Sequence, residues 1–317
     1  MRHIKKSKIL GFVVAAGVIW SVLALLSDTK EVVTSVKSIS SKRMLVVLLL
    51  SAANYWLRVI RFNWYTRKVA VRKIRNDINS IIYFSGLSMN LTPARIGEMV
   101  KAYFQHYFFG ESFARMAPVV FFERLTDGLA MLVLMSIGVL AFKMGVEIFA
   151  FLTIFILFII WILHQRQAGE FIIQFLRKFP LGDRLTSPLQ KALSASFELT
   201  KIIPITGGTV LGVIAWALEA TGLWVLAGAV GMSMTISNLY IIWFIFSVSA
   251  AVGFLSILPG GGGINELSTI GLLERLLGIG YAGALVVTFA FRLVTLWFGV
   301  VLGIVAMIYL EKRKTSQ

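Results

Sequence analysis

The sequence predicts an all-α polytopic integral membrane protein, with about six spanning helices, two re-entrant helical hairpins and an inverted internal repeat. Three observations carry that reading. Of 317 residues 58% are apolar, and the mean hydropathy is +0.84, far above what a soluble domain with one buried face requires. The apolar residues fall in runs of about 20, the length needed to cross hydrocarbon. Two of the apolar regions are broken by proline and glycine, with charged residues beside each break.

Charge and composition exclude several classes. Lys plus Arg number 31 against 15 Asp plus Glu, a formal net charge of +16. A nucleic-acid-binding protein would gather such an excess on a polar domain. Here the basic residues lie between apolar runs, as in cytoplasmic loops facing anionic headgroups, so no nucleic-acid partner is expected. There is no cysteine, and His3, His106 and His164 are scattered without ligand spacing. Disulfides, thiolate chemistry, metal centres and other cofactors are therefore not expected.

The elements follow in order. Residues 1–8 are basic and 9–26 apolar. The apolar run has spanning length and no small-residue cleavage site follows it, so it reads as a first spanning helix and not a secretory signal. Further spans are expected at 44–60, 125–142, 144–163, 205–230 and 282–310. Six spans leave both termini on one side. Basic residues mark that side: Arg2, Lys5, Lys6 and Lys8; Arg61, Arg67, Lys68, Arg72, Lys73 and Arg75; the stretch 164–201; and Lys312, Arg313 and Lys314. The positive-inside rule makes it the cytoplasm, with the loops at 27–43, near 143 and at 231–238 outside and the cell membrane as location.

Two apolar regions, 78–108 and 239–277, do not fit simple spans. The first is interrupted from Leu91 through Pro93, Arg95 and Gly97 to Glu98, the second from Leu258 through Pro259, Gly260, Gly261, Gly262 and Gly263 to Glu266. In both, proline stops a helix, glycine follows and glutamate opens the next helix. Hydrocarbon cannot satisfy the freed backbone groups, so such breaks are buried in protein or line a wet cavity, which predicts re-entrant hairpins. Residues 239–257 also suit an ordinary span. Pro93 lies 31 residues before Arg124, and Pro259 lies 33 before Arg292. The whole chain then reads as one transmembrane domain of two halves, 44–163 and 202–310, joined by the basic segment 164–201. With both termini cytoplasmic, the hairpins enter from opposite sides, as in inverted-repeat transporters.

Charged groups at the bilayer centre cost at least ~2.5 kcal/mol each on insertion scales, so those retained are candidates for function. One set is Arg95, Glu98 and Lys101 on the helix expected after Pro93, where Arg95 and Glu98 share a face. A second is Glu123, Arg124 and Asp127, whose two acids lie four residues apart on one helical face. The second half adds Glu219, Glu266 and Arg292. Each has a structural alternative: Glu123 with Arg124 suits a helix cap at the interface, and Glu219 paired with Arg292 would merely hold helices together. The run Pro259–Gly263 lacks the Gly-Lys-Ser/Thr of a P-loop, but its N–H groups, beside Arg292, suit a phosphate or carboxylate. Arg58, Arg61 and Trp64 read as a snorkelling anchor in the aromatic belt, or as a headgroup-phosphate site.

Four motifs together resemble the lysylphosphatidylglycerol synthase transmembrane family: Leu57–Trp64 with its two arginines, Asn90–Lys101, Glu123-Arg124-Leu125-Thr126-Asp127, and Pro259–Glu266 with its four glycines. The similarity covers nearly the whole chain. It implies movement of a lipid with a charged or phosphorylated headgroup between leaflets, and it points to Arg61, Pro93, Arg95, Gly97, Glu98, Lys101, Glu123, Arg124, Asp127, Pro259, Gly261, Gly263 and Glu266. The soluble aminoacyl-transfer domain of full-length synthases has no counterpart here, so lysine transfer is not implied. A polyprenyl-phosphate or glycolipid substrate is a serious alternative, because some relatives are associated with dolichol-phosphate sugar metabolism.

The expected partners are therefore membrane lipids with phosphate headgroups, and a lipid-modifying enzyme. The expected site is a polar cavity formed by both hairpin tips and the helices bearing Arg124, Glu219 and Arg292, with cations for the phosphate. Transport is favoured over catalysis. Two rivals stay open: a membrane-embedded glycosyltransferase using a polyprenyl-phosphate sugar, with Glu123 or Asp127 as base, and a non-catalytic partner that tethers another enzyme.

Overall fold

The computed structural model describes residues 29–143, 145–165 and 182–315, together with 167, 170, 171 and 173. The expected span at 9–26 lies outside the described residues, as do His3 and part of the basic stretch 164–201. Every regular element among the described residues is helical: α1 Thr29–Ser38, α2 Ser41–Val69, α3 Asn76–Leu87, α4 Val100–Phe109, α5 Phe113–Phe142, α6 Val146–His164, α7 Gly182–Leu199, α8 Ile202–Ala227, α9 Ile236–Leu255, α10 Ile264–Leu277, α11 Tyr281–Arg292 and α12 Phe298–Thr315.

Six helical stretches among these are long and apolar enough to cross a membrane: α2, α5, α6, α8 continued to Val230, α9, and α11 joined to α12 as Tyr281–Thr315. The join is a π turn, Leu293–Trp297, directly after Arg292. Five of the six match expected spans, and α2 and α5 are longer than expected. The apolar run of α2 ends near residue 60, but the helix continues to Val69 because Arg58 and Arg61 are buried against other charged groups instead of ending it. The sixth is α9, read from sequence as the first arm of a hairpin. Its 20 residues reach about 30 Å at 1.5 Å per residue.

The two breaks do form helical hairpins. Helices α3 and α4 pack on one another, and with 12 and 10 residues they reach about 18 and 15 Å, short of the ~30 Å hydrocarbon core. Helices α9 and α10 also pack together, a spanning arm beside a short one of 14 residues. Each tip holds a non-glycine residue in the left-handed region, Arg95 at φ 54° and Ile257 at φ 58°, which costs about 1–2 kcal/mol per residue. At the second tip Gly260, Gly261 and Gly263 have φ of 63°, 68° and 83°, where glycine carries no such penalty. Gly261 also lies against Gly253 of α9: a Cβ there would stand 3.2 Å from the Gly253 Cα.

The chain divides into two compact units, one of Met1–Ala52, Leu91–Arg95 and Ala217–Phe298, the other of Ala53–Asn90, Ile96–Trp216 and Gly299–Gln317. In the second unit α5 is central and packs on α4, α6 and α7, around buried Phe62, Tyr65, Ile82, Tyr83, Phe104, Phe122 and Met135. Helix α6 buries only Ile156, as suits an apolar helix facing lipid. In the first unit α11 packs on α1 and α10, and Phe246 meets Phe291 edge-on at 5.9 Å.

Glycines set how closely α12 approaches its own unit. A Cβ on Gly303 would collide with the backbone of Ser88 and Leu87 at the end of α3, and one on Gly299 would collide with the Tyr55 hydroxyl. Backbone cannot swing aside as a side chain can. Gly303→Ala is therefore expected to destabilise the protein by about 1–3 kcal/mol in denaturant titrations in detergent. Gly271→Ala, in the open on α10, is expected to gain about 0.5–1 kcal/mol from helix propensity.

Candidate functional site

In the second unit four helical segments bring seven charged side chains together. Arg58 and Arg61 are three apart on α2 and share a face. Asp127 of α5 lies beneath both: its Oδ1 accepts from Arg61 Nη2 at 2.6 Å and from the Trp216 indole at 3.1 Å, and its Oδ2 accepts from Arg58 Nη2 at 3.2 Å. Arg124, one turn back on α5, forms an ion pair with the same Oδ2 at 3.1 Å and donates to Glu98 Oε2 at 3.3 Å. Lys101 donates to Glu98 Oε2 at 2.8 Å and to Glu123 Oε2 at 2.6 Å. The result is one continuous network of four cations and three carboxylates, a formal excess of one positive charge.

Aromatic rings and glycine make room for it. The Lys101 ammonium lies 5.3 and 5.4 Å from the Phe62 and Tyr83 ring centroids, and the Arg58 guanidinium lies 4.8 Å from the Trp216 ring, so π faces take up part of the desolvated charge. The Lys101 stem runs over Gly86 of α3, where a Cβ would sit 2.8 Å from its Cδ. Arg61 also donates to the Gly208 carbonyl of α8 at 3.4 Å.

Burial separates one member from the rest. Arg58, Arg61, Glu98, Lys101, Glu123 and Asp127 are all buried, whereas the Arg124 side chain is 18% exposed. The anchor reading of Arg58 and Arg61 is thereby corrected: Arg61 is 0% exposed, and both point into the protein toward Asp127 instead of outward to headgroups. The expected helix carrying Arg95, Glu98 and Lys101 is also revised. Pro93–Met99 is a 3₁₀ segment and Arg95 is left-handed within it, while Glu98 and Lys101 form ion pairs of the network. Arg95 and Gly97 are half-buried and Pro93 is exposed. Glu123 is buried and held by Lys101, which excludes an interfacial cap.

The first unit holds a smaller arrangement. Arg292 Nε donates to Glu266 Oε1 at 2.5 Å, and its Nη2 donates to the Gly260 carbonyl at 2.7 Å. Glu266 Oε2 accepts from the Gly263 N–H at 2.7 Å, closing the start of α10 in the manner of a capping box. The N–H groups of Gly261 and Gly262 donate to the carbonyls of Leu258 and Pro259. The Gly261, Gly262 and Gly263 N–H groups offered from sequence to an anion are thus engaged locally, and the carboxylate paired with Arg292 is Glu266, where the sequence suggested Glu219. Glu219 itself is buried on α8.

The two units share a detail finer than the proline spacing. Glu98 bonds Arg124 and Glu266 bonds Arg292, and each pair is 26 residues apart. In both, a glutamate opening the return arm of a hairpin meets an arginine of the helix that follows. Sequence reasoning missed Trp216 and Tyr83, whose roles are set by ring placement and carry no signal in an apolar run. Arg58 had a signal in its three-residue spacing to Arg61.

Helices that enclose a shared set of cations and carboxylates within their apolar lengths define the class: an all-α multi-pass membrane protein with a charged interior. Within it, the chain belongs to the family of the lysylphosphatidylglycerol synthase TM region, whose family model matches residues 8–303. No curated protein matched it. Membership associates the chain with membrane lipids.

Asp127→Asn keeps the size of the side chain and removes the only charge shared by Arg58, Arg61 and Arg124. Stranding buried cations in this way is expected to cost about 3–5 kcal/mol, read as loss of thermal stability in detergent. An unchanged melting temperature would contradict the role given to Asp127.

Proposed function

We propose that this protein moves an anionic lipid with a phosphate headgroup, a phospholipid or a polyprenyl-phosphate-linked lipid, between leaflets of the cell membrane. One observation carries the reading: the buried network has one cation more than it has carboxylates, and the cation with an exposed edge is Arg124. A singly charged phosphate arriving there would neutralise the cluster, and charge-assisted bonds to guanidinium are the strong kind. The acyl tails would stay in the bilayer. Movement down a gradient needs no nucleotide.

The matching Glu–Arg pairs support two inverted halves, 44–163 and 202–310, whose rocking alternates access. In this reading Glu219, Glu266 and Arg292 serve the second half, and the basic loops, with both termini, face the cytoplasm. The rival reading, a glycosyltransferase with Glu123 or Asp127 as base, fits the geometry less well. Asp127 is clasped by three arginines and Glu123 by Lys101, so both carboxylates are already engaged with cations of the protein itself.

Reconstitution into liposomes containing fluorescent anionic phospholipid or polyprenyl phosphate tests this. The wild-type chain is expected to speed exchange between leaflets, and Arg124→Ala to slow it about 10- to 100-fold, the loss of one charge-assisted hydrogen bond. Wild-type rates from both Arg124→Ala and Glu266→Gln would sink the site. Product formed from a labelled lipid-linked sugar donor would favour the transferase.

A further inference from the structure

A second basic feature lies apart from the buried network, where α2 ends and the first hairpin begins. Arg67, Arg72, Lys73, Ile74, Arg75 and Asn76 line a cavity of about 540 Å³, roughly the size of small-ligand pockets. Its four cations are all exposed. Arg75 is committed to Asp77, donating through Nε and Nη2 at 3.2 and 2.6 Å. Among the described residues Arg67, Arg72 and Lys73 form no ion pair. Three cations without an ion pair among the described residues therefore line one cavity.

The loop bearing them is built to hold a shape. Glu111, 3% exposed, accepts the N–H groups of both Val71 and Arg72 on its Oε1, at 2.8 and 2.6 Å. Arg115 donates to the Val69 carbonyl at 3.4 Å. The Arg72 guanidinium lies over Gly110, where a Cβ would stand 2.7 Å from Nη1. A buried carboxylate spent on the backbone of a basic loop holds the main chain from which its cations project. Helix α3 opens at the cavity, with Asp77 of its first turn paired to Arg75.

We infer that this cavity is a binding site for a phosphomonoester or diphosphate group, separate from the buried network. Two guanidinium forks and an ammonium suit a group with at least two negative charges and several acceptor oxygens. The group could belong to a lipid headgroup at the cytoplasmic surface or to a soluble phosphate compound, and the two sources are separable by experiment.

The full chain in phosphatidylcholine nanodiscs is titrated with inorganic pyrophosphate by calorimetry. In parallel, native mass spectrometry scores the lipid retained from discs that also contain phosphatidic acid. Pyrophosphate is expected to bind the wild-type chain, to bind more weakly as salt rises, and to lose at least about tenfold in affinity in Arg67→Gln/Lys73→Gln and in Arg72→Gln. Retention of phosphatidic acid over phosphatidylcholine, lost in the same variants, assigns the site to a lipid headgroup. Pyrophosphate binding without such retention assigns it to a soluble phosphate compound. Absence of both from the wild-type chain overturns the site without recourse to any variant, and so does equal binding by correctly folded variants. A chain that exchanges lipid between leaflets yet shows neither kind of binding overturns this site alone. One that binds but exchanges no lipid overturns the transport reading alone.

Discussion

The clasp of Asp127 by Arg58, Arg61 and Arg124 is the contact on which the second unit depends. In hydrocarbon a charge has no water to return to, so one desolvated group commits its neighbours to compensate it. Asp127 draws two arginines of α2 and one of its own helix, and the Trp216 indole ties α8 to the same carboxylate. Arg124 then needs Glu98, and Glu98 shares Lys101 with Glu123. Three long helices and one short hairpin are located by a chain of obligations that starts at a single carboxylate.

Much of this was legible in the sequence, for definite reasons. Hydropathy located five of the six spanning helices among the described residues, because a crossing needs about 20 apolar residues whatever it packs against. Proline and glycine located both hairpin tips, because their backbone consequences are local. Eight of the charged candidates, Arg61, Glu98, Lys101, Glu123, Arg124, Asp127, Glu266 and Arg292, do form buried or half-buried ion pairs, since a bilayer leaves little room for idle charge. What the sequence withheld were directions. Arg61 looks like an anchor because arginines at the end of a span usually snorkel, and nothing local says that Asp127, 66 residues on, lies within reach. Gly261 to Gly263 looked open to an anion because hydrogen bonds inside a loop of that size leave no composition signature.

The two Glu–Arg pairs, equal in spacing, differ in what surrounds them. In the first unit one arginine meets one glutamate, the remaining Glu266 oxygen caps a helix start, and a second arginine nitrogen holds the Gly260 carbonyl. That set is neutral and occupied, and its effect is to brace a glycine-rich tip that would otherwise be loose. In the second unit the pair is embedded among further cations, and the local charge does not cancel. The equal spacing thus accompanies a brace in the first unit and a cluster with unbalanced charge in the second, which is why the proposed anion belongs with Arg124 and not with Arg292.

Arg124 is also the member best able to change partners. Its bond to Glu98 is the longest in the network, at 3.3 Å, and its side chain is the one partly exposed. If an incoming phosphate drew the guanidinium away from Glu98, that carboxylate would keep Lys101 at 2.8 Å, and Asp127 would keep Arg58 and Arg61. No buried charge would be stranded by the exchange, whereas withdrawing Lys101 would leave Glu123 without an ion-pair partner in the network and withdrawing Asp127 would leave two cations so. Breaking a buried pair costs several kcal/mol because it isolates the group left behind. The proposed uptake and release of an anion needs a contact whose loss isolates nothing, and in this network that contact is Arg124 with Glu98.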